Sequence, residues 1–203
     1  MQEKQTQAQK IMNVPNILSI VRMILVPVFM ATILYMNDIK IWGFVIPAII
    51  FAVTSLTDML DGKIARKYNL ITDFGKFLDP LADKFMVFGA LISLLAAPAY
   101  GEVRMILVWV AAIVMLRELG VTSLRLVVAS RGVVVAASIW GKMKTVTQIF
   151  AVIMLIIEPM FSVFADNHIL SYVAMAAMAI TTVGSGVTYL KALWPYVSGK
   201  KQL

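Results

Sequence analysis

The chain has 203 residues, 61% of them hydrophobic and 14% charged, with a net charge of +7 and a mean hydropathy of +0.87. An ordinary globular domain is about half apolar and about a quarter charged, so this composition excludes a soluble domain and indicates a single membrane-embedded one. With no cysteine in the chain, disulfides and thiolate metal sites are excluded as well.

Residues 1–12 are polar and precede a first apolar run at 17–36. That run is longer than a signal-peptide core and no small-x-small cleavage site follows it, so it reads as an uncleaved helix. Further apolar runs follow at 42–60, 79–98, 103–129, 143–164 and 169–190. Each is close to the roughly 20 residues that span a bilayer. They are continuous and rich in Ala, Leu and Met, which favours helix over strand. Turn and breaker residues separate them in "MNDIK", "APAYGE", "SRG" and "FADNH". Pro27, Pro47 and Pro159 fall inside runs, where membrane helices tolerate them. The expectation is an all-α integral membrane protein with six transmembrane helices. A polar juxtamembrane segment covers 1–12, a six-helix membrane domain 13–192 and a tail 193–203.

Six helices put both termini on one side. Most Lys and Arg fall on that side, from Lys4 and Lys10 through Lys63, Lys67 and Lys76 to Lys200 and Lys201, whereas the opposite loops hold Lys40 and Arg104. Cytoplasmic loops carry the Lys/Arg excess, so the termini and the basic clusters are expected in the cytoplasm. Much of this charge sets topology and meets anionic lipid rather than nucleic acid.

The stretch from Ser55 to Lys84 carries Asp58, Asp61, Asp79 and Asp83. Asp58 and Asp61 are three apart at the end of the second helix, on one face. Asp79 and Asp83 are four apart at the start of the third, again on one face. A short cytoplasmic link joins the two helices, so the four acids can converge. Clustered anions at a membrane edge repel one another and lose hydration, which a bound cation offsets. Carboxylates without Cys or His suit Mg²⁺, Mn²⁺ or Ca²⁺, and four of them can hold two ions in an arrangement suited to phosphoryl transfer. Gly62 lets the backbone approach a ligand, Arg66 can grip a phosphate, and Thr72 or Asp73 can cap the third helix.

The string Asp58-x-x-Asp61-Gly62-x-x-Ala65-Arg66, eight residues, then Gly75-x-x-x-Asp79-x-x-x-Asp83 resembles the signature of the CDP-alcohol phosphatidyltransferases, with every fixed position at its spacing. The resemblance implies six transmembrane helices, a homodimer, two divalent ions (Mg²⁺ or Mn²⁺) and CDP-diacylglycerol as donor. It also implies that Asp58, Asp61 and Asp79 hold the metals, with Asp83 as a further ligand and the general base. Gly62, Ala65, Arg66 and Gly75, with Asp61, would shape the pocket for cytidine and diphosphate. A bacterial inner membrane, with the site on its cytoplasmic face, is the implied location.

Three more stretches bear on the substrates. "NVPNILSIVR" opens the first helix and puts Asn16, Ser19 and Arg22 on one face, expected toward the donor. "LRELGVTSLR" embeds Arg117, Glu118 and Arg125 in apolar sequence, and "GKMKTVTQ" carries Lys142, Lys144, Thr145 and Gln148. Ionisable groups within a membrane mark function and need a partner. Glu118 can pair with an arginine and fix helix packing. The cations Arg117, Arg125, Lys142 and Lys144 exceed what a neutral acceptor needs and suit a phosphorylated one. These stretches are similar to those of family members whose acceptor is sn-glycerol 3-phosphate; the likeness runs from Asn13 to about Gln148. The competing readings are phosphatidylglycerol as acceptor, giving cardiolipin, or serine or inositol phosphate. A non-enzyme reading is a divalent-cation carrier, which would place its acids nearer mid-membrane and has no role for Arg66 or Gly75. His168 reads as a lone outer-loop histidine, and Arg131 as a topology charge or a phosphate ligand.

Overall fold

The computed structural model describes residues 13–36, 39, 41–68, 70, 72–130, 138–161 and 167–198. The N-terminal segment 1–12 and Arg131 lie outside the described residues. Six long helices account for most of the described chain: α1 Val14–Tyr35, α2 Trp42–Lys67, α3 Asp73–Ala96, α4 Arg104–Ala129, α5 Ile139–Ile157 and α6 Ile169–Val197. No strand occurs among the described residues. Five of the six are long and apolar enough to cross a membrane; α3 is the exception. Asp79, Asp83 and Lys84 interrupt its apolar run.

Local chemistry fixes the helix starts. Asn13 caps α1 by accepting the Asn16 N–H at 3.0 Å, with Pro15 in the first turn. Thr72 caps α3 by accepting the Gly75 N–H at 3.0 Å, and Ser138 caps α5 by accepting the Gly141 N–H at 3.0 Å. Each satisfies a backbone donor that the helix itself leaves unpaired. Pro159 is not in a long helix: α5 ends at Ile157 and a short 3₁₀ turn, Glu158–Met160, follows. In the other direction, α6 continues through Trp194 and Tyr196 to Val197, into the stretch expected as tail.

The chain forms two compact units, residues 1–99 and 100–203. In the first, α1 is the shared wall against which both α2 and α3 pack. Val26, Phe29 and Ile33 of α1, Phe51 of α2 and Ala82, Met86 and Ala90 of α3 are all buried. The Phe29 and Phe51 ring centroids lie 5.4 Å apart. Gly89 of α3 lets α1 come close: a Cβ there would stand 2.8 Å from Val26.

In the second unit, α6 packs on both α4 and α5. Contacts of Trp140 with Gly184 and of Thr147 with Thr181 show α5 and α6 running antiparallel. Leu107 and Val114 of α4, Leu155 and Ile156 of α5, and Met175 and Met178 of α6 make the core. At one end, buried Glu158 caps α6, accepting the Ser171 N–H at 3.1 Å and the Ser171 hydroxyl. His168, at φ 48°, sits between Glu102 and Glu158, 3.3 and 3.8 Å from their carboxylates.

Candidate active site

The first unit gathers its polar side chains where α1, α2 and α3 begin or end. Ser19 and Arg22 are three apart on α1 and buried, with Arg22 wholly enclosed. The guanidinium of Arg22 donates through one terminal nitrogen to Oδ1 of Asp58 and through the other to Oδ2 of Asp61. The Ser19 hydroxyl lies 2.6 Å from Oδ1 of Asp79 and 3.5 Å from Oδ2 of Asp61. One serine and one arginine therefore tie three of the four expected acids together. Asp61 is buried, while Asp58 and Asp79 are half-buried. Asp83 stands one turn beyond Asp79, also half-buried.

Among the described residues, no three acids close around one point tightly enough to ligate a metal as they stand. Arg22 bonds Asp58 and Asp61, and the Ser19 hydroxyl bonds Asp79. The donor chemistry nonetheless fits a hard divalent cation, with carboxylates linked in a chain and no sulfur or imidazole among them.

A groove of about 180 Å³ opens next to these acids, lined by Asn16, Gly62, Ala65, Gly75 and Asp79 among others. Its rim is pinned by hydrogen bonds from α1 to the α2–α3 link. Asn13 Nδ2 donates to the Leu70 carbonyl at 2.7 Å, and Asn16 Nδ2 donates to the Thr72 hydroxyl at 2.9 Å. Gly75 leaves room for Asn16 here: a Cβ on it would stand 2.6 Å from Asn16 Oδ1, so the amide would have to shift. The expected donor residues are thus divided. Asn16, Gly62, Ala65 and Gly75 line the groove; the Ser19 hydroxyl and the two terminal nitrogens of Arg22 lie on the aspartates, while Arg22 Nε is buried without a partner; the Arg66 side chain lies outside the described part of the chain.

The second unit brings together two of the four cations expected for an acceptor phosphate. Glu118 Oε1 accepts from Lys144 Nζ at 2.5 Å and from Arg117 at 3.1 Å. Arg117 also donates to the Ser185 hydroxyl and lies over the Tyr189 ring, 5.6 Å from its centroid. Lys144 and Glu118 are buried, whereas Arg125 and Lys142 are exposed. Ser185 and Tyr189 went unremarked in the sequence. Their signal was a polar stripe, Thr182, Ser185 and Tyr189, at helical spacing on an otherwise apolar helix.

The family model for CDP-alcohol phosphatidyltransferase matches residues 12–184. A Bacillus subtilis protein named CDP-diacylglycerol–glycerol-3-phosphate 3-phosphatidyltransferase is 41% identical, over 90% of this chain and 95% of its own length. Proteins of the same name from Rickettsia bellii and Pseudomonas fluorescens are 36% and 32% identical, over 91% and 95% of this chain and 97% and 96% of their own. With the motif, the groove and the full-length similarity all in place, the chain belongs to the CDP-alcohol phosphatidyltransferase family.

Proposed function

We propose that the chain transfers the phosphatidyl group of CDP-diacylglycerol to sn-glycerol 3-phosphate, giving phosphatidylglycerophosphate and CMP. The observation that carries this is the eight-position motif, four of whose positions (Gly62, Ala65, Gly75 and Asp79) line one groove, in a chain similar over nearly its whole length to transferases named for those two substrates. Asp58, Asp61 and Asp79, with Asp83, would hold two divalent cations, Mg²⁺ or Mn²⁺, as the family resemblance implies. When bound, such ions neutralise diphosphate charge and polarise the attacked phosphorus.

The chain's own residues account for the rest. Gly62, Ala65 and Gly75 let the nucleotide lie close to backbone, and Asn16 and Arg66 contact it. Asp83 accepts the proton of the acceptor hydroxyl. The hydroxyl oxygen forms its bond to the phosphatidyl phosphorus as the bond to the CMP oxygen breaks, with no covalent enzyme intermediate. Arg117 and Lys144, with Arg125 and Lys142, take the acceptor phosphate. Glu118 offsets one of the charges of Arg117 and Lys144, leaving a single net positive charge of that trio for a dianionic ligand. The membrane arrangement is six spans with α3 as the sixth, termini and site cytoplasmic, in a bacterial inner membrane. The homodimer rests on family resemblance.

The test is CMP release by purified protein with CDP-diacylglycerol and a panel of alcohols. Release is expected with glycerol 3-phosphate, at least about tenfold less with glycerol, serine or inositol, and none in excess EDTA until Mg²⁺ or Mn²⁺ is restored. Equal release with serine would leave the family and remove the acceptor assignment. Undiminished release in EDTA would remove the metal.

A further inference from the structure

Arg22 is a full positive charge with no exposed surface, on a helix of a membrane protein. Burying a guanidinium is costly unless its donors are well paired. Its two terminal nitrogens divide between two different carboxylates rather than gripping one of them with both. A guanidinium usually grips one carboxylate with two parallel bonds. Here the fork instead occupies one oxygen of Asp58 and one oxygen of Asp61. Asp58 and Asp61 are three apart on α2, and Arg22 reaches them from α1, so the contact fixes both side chains across a helix interface. Ser19, one turn before Arg22, does the same for Asp79 of α3 through its hydroxyl.

We infer that Arg22 is a positioning residue for the metal ligands: its fork sets the side chains of Asp58 and Asp61 by one oxygen each and leaves the second oxygen of each outside the fork. Ligating carboxylates are held by such hydrogen bonds in metal sites generally, and losing the partner weakens the metal about 10- to 100-fold. This rests on the proposed reading of the aspartates as metal ligands. A rival role makes Arg22 a plain counter-charge that competes with the metal. The two differ in sign, because removing a competing charge tightens cation binding and removing an orienting fork loosens it.

The experiment is Mn²⁺ titration of the full-length protein in detergent, read by the electron paramagnetic resonance of free Mn²⁺. Arg22→Lys keeps the charge and loses the fork; Arg22→Gln loses the charge and keeps an amide donor. Thermal unfolding of each is recorded alongside. The expected result is that both variants fold and that Arg22→Lys binds Mn²⁺ about 10- to 100-fold more weakly than the wild type. Wild-type affinity in Arg22→Lys, or tighter binding in Arg22→Gln, would overturn the inference in favour of a counter-charge. If neither variant folds, Arg22 is a folding residue and the inference fails. Asp61→Asn and Asp79→Asn serve as the separate control. Wild-type Mn²⁺ affinity in both would remove the metal reading itself, whatever Arg22 does.

Discussion

Asp61 and Asp83 carry the same side chain in very different surroundings. Asp61 is buried, bonded to Arg22 and within 3.5 Å of the Ser19 hydroxyl. Asp83 is half-buried, one turn past the acid that Ser19 holds. A residue fixed from two sides suits a ligand, which leaves Asp83 in the role of base that the family resemblance implies. Asp83→Asn should therefore lower kcat for CMP release by about 10²- to 10⁴-fold, the usual worth of a general base, with Mn²⁺ affinity changed far less than in Asp61→Asn. Near-normal turnover in Asp83→Asn would place the base elsewhere. The four acids were legible in the sequence because their spacing is fixed on two helices. The partners of Asp58 and Asp61 were not. Arg22 is 36 and 39 residues away from them, and helical spacing gives a shared face without saying what faces it. The acceptor cations show the same limit. Four Lys and Arg in apolar sequence look equally buried, but α5 and α4 turn Lys142 and Arg125 outward and Lys144 and Glu118 inward.

At the scale of elements, the apolar runs located all six helices but misplaced several ends. The second run stops at residue 60, yet α2 continues to Lys67; the third begins at 79, yet α3 begins at Asp73. Hydropathy marks the lipid-buried part of a helix, whereas capping and backbone bonding decide where it ends. The acids consequently lie inside helices, and the link between α2 and α3 is only residues 68–72. That short link brings Thr72 and Gly75 against Asn16, where space is tight. Gly75→Ala would push the Asn16 amide off Thr72, costing about 0.5–1.5 kcal/mol for the lost bond. The helix propensity of alanine returns about 1 kcal/mol. Global stability should thus barely move, while the displaced amide narrows the groove. We expect the KM for CDP-diacylglycerol to rise about tenfold, equivalent to about 1.4 kcal/mol, with thermal unfolding nearly unchanged. An unchanged donor KM would show that Asn16 does not shape the donor groove.

At the scale of the whole molecule, the claim with most consequence is which side of the membrane the acids face. The argument is one of charge distribution. Lys63, Lys67 and Lys76 flank the α2–α3 link on the side of the acids, whereas the loop between α3 and α4 holds Glu102 and, at the start of α4, Arg104. Insertion retains Lys/Arg-rich loops in the cytoplasm. The soluble substrate and the released CMP also require a site open to the cytoplasm. A chain without cysteine makes the check direct, since each introduced thiol is the sole target of a membrane-impermeant maleimide. Lys63→Cys and Lys76→Cys sit at exposed positions on the acid side, and Glu102→Cys at an exposed position in the opposite loop. In intact spheroplasts, Glu102→Cys should be labelled and the two lysine variants should not; permeabilisation should bring the lysine variants to full labelling. The α3 helix is the stringent part of this test, because its apolar run is broken by Asp79, Asp83 and Lys84 and falls short of the other five. If Glu102→Cys were labelled only after permeabilisation, together with Lys63→Cys, then α3 would not cross the membrane. The chain would have five spans, and its termini would lie on opposite sides.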